Sequence, residues 1–324
     1  GPAPRDSACP TVQRTGAEAL LLGRLSTRDG VALIVSNVIG VGIFTTPSII
    51  AGLVPHPGAM ITLWIMGGLL ALAGAVSYAE LAKLYPLAGG EYIYLSRIYG
   101  RTAGFLSGWT SLVAGFTGAV AASAVGLVFY LETYIPSLAS DRILWHFPFL
   151  FAEITVSTKT LSAAAIIALF ALLHSLSMRL GRTTQNSLAL LIVLMIVIFV
   201  VCGFAFGHGS WSNFRTPPSP VRPVNWLLAL IPVMFTYSGW NAAAYVSEEF
   251  RNARKTIGPV LFLGTAAIVI LYAALNLLYV YAVPVPRMKA AANIGDLTAV
   301  TLFGSAGNFI TPVIIVALLG AISA

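Results

Sequence analysis

Long apolar runs separated by short polar segments fill almost the whole chain after residue 30. The runs lie at 31–53, about 59–79, 103–131, 161–178, 187–207, 226–247 and 257–283, and a last run begins near Asn308. A helix needs roughly 20 apolar residues to cross the hydrocarbon core of a bilayer. The pattern therefore predicts an all-α polytopic membrane protein with eight spans. Because no polar segment closes the eighth run, we expect the sequence to be truncated within it.

The first apolar run is interrupted near its middle by Gly40-Val41-Gly42. Each glycine lowers the stability of a helix by about 1 kcal/mol, and Pro47 follows at a place that suits the first turn of a restarted helix. We therefore predict two half-helices, Val31 to about Ile39 and Ile43 to Leu53, joined by extended backbone. The alternative is an unbroken helix whose glycines are notches for a neighbouring helix.

A broken membrane helix is a candidate binding site. Backbone groups without hydrogen-bond partners are costly in lipid, so they are tolerated where they line a cavity and a polar ligand can use them. The N-terminus of the second half-helix would carry free N–H groups and the positive end of the helix dipole. These features favour a carboxylate as the ligand.

A second interruption lies in the run 226–247, five helices after the first. It contains Pro232, which removes one helix hydrogen bond, and then Ser238-Gly239 followed by Trp240-Asn241. Paired interruptions in two five-helix units are typical of an inverted-repeat transporter whose site is at the bilayer midplane. The alternative is a proline-kinked helix with a structural tryptophan.

This pairing predicts the organisation of the chain. Residues 1–30 form a polar N-terminal tail, residues 31–207 the first five-helix repeat, and residues 208–324 a partial second repeat that contains helices six, seven and the start of eight. No signal peptide is recognisable in the tail.

Composition and charge support the membrane assignment. Hydrophobic residues make up 58% of the 324 residues and charged residues 9%, and the mean hydropathy is +0.88, which excludes a water-soluble domain. The net charge of +7 comes from basic residues scattered singly between spans, so nucleic acid is not an expected partner. With the N-terminus in the cytoplasm, 12 of the 18 Lys and Arg residues fall in cytoplasmic segments, as the positive-inside rule requires.

Four stretches together resemble the amino acid–polyamine–organocation transporters, and within that family the L-type amino acid transporters. They are VIGVGIF at 38–44, YAELAKLYPLAGGEYIYL at 78–95, GFLSGW at 104–109 and FTYSGWNAAAYVSEEFRNARKTIGPV at 235–260. The resemblance implies the five-plus-five inverted-repeat fold, often called LeuT-like, with usually twelve helices. The second repeat would then be truncated in this chain.

The resemblance also implies how a substrate is held. In such proteins the carboxylate lies on backbone N–H groups of the unwound first helix, here around Val41 and Gly42. The amino group meets backbone carbonyls, here those of Val38, Phe235 and Ser238. One site then holds both ends of a zwitterion without a charged side chain, and neither broken run contains Asp, Glu, Lys or Arg.

Phe235 resembles the aromatic gate above the ligand, with Trp240 as a second gating residue, and Asn241 resembles a polar side chain that faces the pocket. The alternative roles are a core aromatic and a helix-packing amide. The candidate substrate-binding residues are Val38, Ile39, Gly40, Val41, Gly42, Phe235, Thr236, Ser238 and Asn241.

The sequence departs from the family pattern in three places. Val41 stands where Ser or Ala is frequent, so no hydroxyl contact to the carboxylate is expected there. The run 187–207 lacks the Lys that relatives often carry in the fifth helix, and the site would be uncoupled unless Na⁺ took its place with an oxygen such as that of Ser323. Residues 132–160 contain no Cys, so we expect no covalently linked heavy-chain subunit.

These observations predict a permease or exchanger for neutral amino acids in the plasma or bacterial inner membrane. Two alternatives stay open: a non-transporting membrane subunit or receptor, and a permease for polyamines or cationic amino acids. No constellation of an enzyme active site is recognisable, and we expect no metal and no cofactor.

Overall fold

The computed structural model describes residues 25–149, 152–215, 221–291 and 293–324, and the first 24 residues of the predicted tail, with Cys9, lie outside them. The helices are α1 Thr27–Val38, α2 Gly42–Leu53, α3 Pro57–Leu84, α4 Glu91–Tyr99, α5 Arg101–Leu131, α6 Thr158–Leu176, α7 Met178–Phe206, α8 Pro223–Tyr237, α9 Ala242–Tyr245, α10 Ala253–Ala282, α11 Val285–Met288, α12 Ile294–Phe303 and α13 Ile310–Ser323. Helices α3, α5, α6, α7 and α10 are long and apolar enough to cross a membrane, and α1 with α2 forms a sixth, broken span. The helix-rich membrane architecture is thus confirmed.

The prediction that the chain is all-α is wrong in one place. Strands β1, Ile143–Phe149, and β2, Ala152–Ser157, pair antiparallel between α5 and α6. Both strands contain several β-branched or aromatic residues, which favour extended backbone. The hairpin was overlooked because each strand is much shorter than a membrane span and also carries polar residues.

The first broken span begins four residues before the predicted Val31. Ser26 caps α1: its Oγ accepts from the Asp29 amide at 3.4 Å, and the Asp29 carboxylate accepts from the Ser26 amide at 2.8 Å. This reciprocal capping box satisfies two amides that would otherwise be unpaired at the helix start. Arg28 and Asp29 therefore belong to α1, and only the part of the broken span from Gly30 onward is free of charge.

The two broken helices run antiparallel, side by side. At one end the Leu25 amide donates to the Glu249 carbonyl at 2.8 Å, and the Arg251 amide donates to the Leu25 carbonyl at 3.0 Å. At the other end the Asn225 side chain donates to the Leu53 carbonyl at 3.0 Å. We call the end with Leu25 the lower end and the end with Leu53 the upper end. The same register places the two interruptions beside each other.

Helix α10 packs against both α1 and α3 and forms the centre of the core. A side chain at Gly264 would lie 2.8 Å from Ile34, so glycine is what lets α10 approach α1 this closely. Two turns further along α10, the rings of Tyr272 and of Trp64 in α3 lie 5.7 Å apart, edge to face, and both are fully buried. Aromatic packing of this kind fixes α10 against α3.

Candidate functional site

The predicted break in the first helix is confirmed. Helix α1 ends at Val38, α2 begins at Gly42, and their axes differ by 46°. The Ile39 amide still donates to Val35 at 3.0 Å and the Phe44 amide to Val41 at 3.0 Å. Between them, the amides of residues 40–43 make no hydrogen bond to any described part of the chain.

The prediction for Pro47 is wrong. Because α2 begins at Gly42, Pro47 is the sixth residue of the helix and lies inside it. Its missing N–H leaves the Ile43 carbonyl without its usual helix partner. In the first turn, the Thr45 hydroxyl donates to the Val41 carbonyl at 3.2 Å, which stabilises the restart of the helix.

The second predicted break lies between α8 and α9. Helix α8 ends at Tyr237, and Gly239 adopts φ +102°, a left-handed conformation that strongly favours glycine. A Cβ at Gly239 would also lie 2.4 Å from the Asn37 side-chain oxygen. Glycine therefore allows the second break to turn sharply while touching the last turn of α1.

Two side chains hold the breaks together. The Thr46 hydroxyl lies 2.8 Å from the Thr236 hydroxyl, which donates to the Pro232 carbonyl at 2.8 Å. Since a hydroxyl has a single proton, Thr46 is the donor in the first bond. Tyr272 is the second of these side chains: its hydroxyl lies 2.9 Å from the Val38 carbonyl and 3.3 Å from the Thr236 carbonyl.

The carbonyls predicted to hold an amino group differ in what they already accept. The Phe235 carbonyl accepts from the amide of Ser238 at 3.1 Å and from its hydroxyl at 2.6 Å, which occupies both lone pairs. The Val38 carbonyl accepts from Tyr272 alone and keeps one lone pair. The Ser238 carbonyl has no hydrogen-bond donor among the described residues. Val38 and Ser238 thus have acceptor capacity to spare.

The side chains predicted to gate the site or to face its pocket are either exposed or in contact with α3 and α4. Phe235 is 72% exposed. Trp240 packs edge to face on Tyr78 of α3, with ring centroids 4.9 Å apart. The Asn241 side chain donates to the carboxylate of Glu91, the first residue of α4. The roles of Phe235, Trp240 and Asn241 stay predictions.

Cavities lie on both sides of the first break. The upper cavity, about 970 Å³, is bounded by Val41 and Thr45, by one face of α5 and by residues around α11 and α12. The lower cavity, about 280 Å³, has walls from α1, α5, α9 and the lower end of α13, among them Asn37, Ser123 and Tyr245. Among the described residues that line the lower cavity, no side chain is charged.

A polar pocket of about 280 Å³ adjoins the lower cavity at the lower end, and the two share Leu33 and Val246 in their walls. Asp29 accepts from the Asn186 side chain at 2.6 Å, and the Ser323 hydroxyl lies 3.1 Å from Nε2 of His174. Glu249 lines the same pocket, and partial burial raises its pKa above the ordinary value. Ser323, predicted as a possible Na⁺ ligand, is therefore paired with a histidine. No group of three His, Cys, Asp or Glu in the described ranges could hold a metal ion.

Sequence reasoning missed Thr46, Tyr272 and Glu91, which contact the candidate site residues from other turns or helices. Tyr272 is 234 residues from its partner Val38 along the chain, and nothing local in its own helix marks it. The hydroxyl of a tyrosine in an apolar run was the only available signal, because such a group needs a partner once it is buried.

Comparison with known proteins gives the family. The sequence pattern of the amino acid permease family matches residues 25–324. The chain is 28% identical to the mouse b(0,+)-type amino acid transporter 1 over 78% of its own length and 50% of the relative's. It is 27% identical to the human Asc-type amino acid transporter 1, over 83% of its own length and 50% of the relative's. It is 25% identical to the serine/threonine exchanger SteT of Bacillus subtilis, over 90% of its own length and 63% of the relative's.

The chain thus spans about half the length of the mammalian relatives that it matches. The family pattern nevertheless covers both broken helices and all of the described residues. The chain belongs to the amino acid permease family.

Proposed function

We propose that the protein is an exchanger of neutral amino acids that holds its substrate at the two broken helices and moves it by alternating access. The observation that carries the proposal is the row of amides at residues 40–43, which have no partner in the described structure and lie beside the second break. Unpaired amides in the middle of a membrane span are costly unless a ligand uses them.

The carboxylate of the substrate binds at the start of α2. The N–H groups of residues 40–43 surround the N-terminus of a helix of 12 residues, where the helix dipole favours a negative charge. The bend between α1 and α2 leaves space for the carboxylate, because a Cβ added to Gly40 would meet no atom within 4 Å. Val41 contributes its amide and no hydroxyl.

The amino group binds at the end of α8. The Ser238 carbonyl and the remaining lone pair of Val38 are the acceptors with spare capacity, and both lie at the C-terminal, negative end of a half-helix. The Phe235 carbonyl could take part only if Ser238 released it, which makes Phe235 the weakest of the three predicted acceptors.

The side chain of the substrate occupies the lower cavity in this account. Its walls are apolar apart from Asn37, Ser123 and Tyr245, and no charged side chain among the described residues lines it. A neutral side chain suits these walls, whereas a cationic amino acid or a polyamine would lose its hydration without gaining a counter-charge.

The two cavities support alternating access. The first break separates the upper from the lower cavity, so a small rotation of α1 or α2 would open the site to one side at a time. We place the lower end in the cytoplasm, from the distribution of Lys and Arg. Residues 31–207 would form the first repeat and residues 208–324 part of the second.

The relatives add support from their names. One is a serine/threonine exchanger, and another, with 27% identity, is the mouse large neutral amino acids transporter small subunit 2. These names favour exchange and neutral substrates for this chain. Because residues 132–160 contain no Cys, no covalently linked subunit is part of the proposal.

Binding and uptake test the proposal together. The protein is reconstituted in liposomes, and the affinities of alanine, leucine, arginine and putrescine are measured, followed by uptake into vesicles that contain unlabelled substrate. We expect alanine or leucine to bind best and uptake to persist when choline replaces Na⁺ or a pH gradient is imposed. Equal or tighter binding of putrescine would contradict the carboxylate site. Binding without uptake would favour a receptor or a non-transporting subunit.

A further inference from the structure

The hairpin β1–β2 has two chemically different faces. In an antiparallel pair, directly opposed residues lie on the same face, and neighbours along a strand alternate. The register pairs Trp145 with Val156 and Phe147 with Ile154, so one face is apolar. The opposite face carries the two pairs of His146 with Thr155 and Pro148 with Glu153.

The apolar face is exposed. Trp145 is 67% exposed, Phe147 47% and Ile154 38%. An isolated two-stranded hairpin is at best marginally stable in water, and one that shows a tryptophan and a phenylalanine to water is less favourable still. This face therefore needs an apolar cover that the described residues do not supply.

The segment that leads into the hairpin is hydrogen-bonded to the upper end of α6. The Lys159 amide donates to the Ser140 carbonyl at 3.2 Å, and the Ser162 hydroxyl donates to the Leu138 carbonyl at 3.0 Å. β2 ends at Ser157, which is also the N-cap of α6. No flexible linker separates the strand from the span, so the hairpin lies where α6 leaves the bilayer.

Exposed apolar side chains also flank the hairpin where it joins the neighbouring helices. Leu161, in the first turn of α6, is 45% exposed, and Ile135, shortly after the end of α5, is 46% exposed. In a membrane protein, exposed apolar side chains on a spanning helix face lipid. Tryptophan is also enriched at the boundary between acyl chains and headgroups.

We propose that the hairpin is a membrane-interface element: its apolar face lies on the lipid and its polar face turns to the water. Lipid is the occupant that fits best because it already covers the adjoining helices, and because aromatic residues on one face with His and Glu on the other suit the headgroup layer. The inference does not depend on transport and would hold for a receptor with the same fold.

Spin-label accessibility along the strands tests the proposal. In a background with Cys9 and Cys202 replaced by Ala, single cysteines at Trp145, Phe147 and Ile154 are compared with matched cysteines at His146, Glu153 and Thr155, all in lipid nanodiscs. Collision with oxygen, which concentrates in lipid, is measured against collision with a water-soluble nickel chelate. We expect the ratio of oxygen collision to nickel collision to be several-fold higher at Trp145, Phe147 and Ile154 than at the other three positions. Along each strand the ratio should alternate between high and low from one residue to the next.

Two outcomes of the spin-label experiment would overturn the proposal. High nickel collision at all six positions would show a hairpin in water. Low collision with both reagents at 145, 147 and 154 would show a protein cover, such as a second copy of the chain. Because a cysteine at Trp145 could weaken the hairpin, the native tryptophan is tested as well. Quenching by lipids brominated near the headgroup should fall in Trp145→Phe, and unchanged quenching would equally contradict the proposal.

Discussion

The hydroxyl of Thr46 lies 2.8 Å from the hydroxyl of Thr236, which joins the first turns of α2 to the last turn of α8. Thr46 is the fifth residue of α2, and Thr236 is the last but one residue of α8. Together with the contacts of Tyr272, this bond holds the two breaks at the same level. Gly42 approaches Thr236 from the same side: a Cβ there would lie 3.1 Å from its side chain.

Replacing both threonines should show that they are coupled. Valine keeps the shape and removes the hydroxyl, so Thr46→Val and Thr236→Val should each destabilise the protein by about 0.5–1.5 kcal/mol. Their effects should be non-additive by about 0.5–1 kcal/mol, because each single variant already breaks the shared bond. Thermal or denaturant unfolding in detergent measures the cycle.

A control cycle combines Thr46→Val with Thr265→Val. The Thr265 hydroxyl donates to the Leu261 carbonyl in its own helix and is not bonded to Thr46. This pair should add within about 0.5 kcal/mol. Full additivity in the Thr46–Thr236 cycle would mean that the breaks are aligned by other contacts.

Tyr272 and Tyr279 offer a matched comparison on α10. Both are fully buried, but the Tyr272 hydroxyl bonds to Val38, whereas the Tyr279 hydroxyl has no partner among the described residues. Tyr272→Phe should destabilise the protein by about 1–3 kcal/mol and weaken substrate binding, since it leaves a buried carbonyl unpaired. Tyr279→Phe should be neutral or stabilising. Equal losses in both variants would remove Tyr272 from the site.

The two breaks could be predicted because their causes are local. Glycines at 40 and 42, and Ser238-Gly239 after Pro232, weaken helical backbone wherever they occur. The start of α1 was missed because the capping box of Ser26 and Asp29 is polar and was assigned to the tail. The hairpin was missed because its strands are short. Local sequence therefore predicted the two breaks better than it predicted where α1 begins and where the short strands lie.

The partners of the site could not be predicted because they are distant in sequence. Thr46 meets Thr236 across 190 residues, and Asn241 meets Glu91 across 150. Which carbonyls are already occupied also depended on geometry: only the structure shows that Ser238 uses its own hydroxyl to bind Phe235. Family resemblance predicts which residues lie near a ligand, but only the hydrogen bonds within the protein show which carbonyls can still accept a hydrogen bond from it.

Glu249 should make stability depend on pH. Burial raises its pKa above the ordinary value of 4.5, so the folded protein binds this proton more tightly than the unfolded chain does. The stability contributed by the protonated form is complete below the unfolded-state pKa and is lost as the pH rises through the folded-state pKa. Glu249→Gln should remove this loss and raise the melting temperature at neutral pH.

The melting temperatures of the wild type and of Glu249→Gln are measured in detergent, from a pH below the ordinary pKa of a glutamate up to neutral pH. Asp29, Arg182 and His174 line the same pocket and are present in both proteins, so the difference isolates Glu249. Glu248→Gln, which removes a carboxyl group at the neighbouring position, is the control. A difference curve without slope would show that Glu249 is as well solvated in the folded state as in the unfolded chain.

The most direct test adds one methyl group beside the unpaired amides. Gly42→Ala is a poor choice because its Cβ would press on Thr236 and change folding together with binding. Gly40→Ala is better, since a Cβ there meets no atom within 4 Å and Gly40 does not have the positive φ that favours glycine. Gly52→Ala, on α2 and equally unobstructed, is the matched control.

The affinities for alanine and leucine and the melting temperatures are measured for the wild type and both variants. The account predicts that Gly40→Ala binds roughly ten- to hundred-fold more weakly, equivalent to about 1–3 kcal/mol, because the methyl group occupies the place of the carboxylate. Its melting temperature should not fall, and Gly52→Ala should bind like the wild type. Wild-type affinity in a normally folded Gly40→Ala protein would contradict a carboxylate site at the break in the first helix.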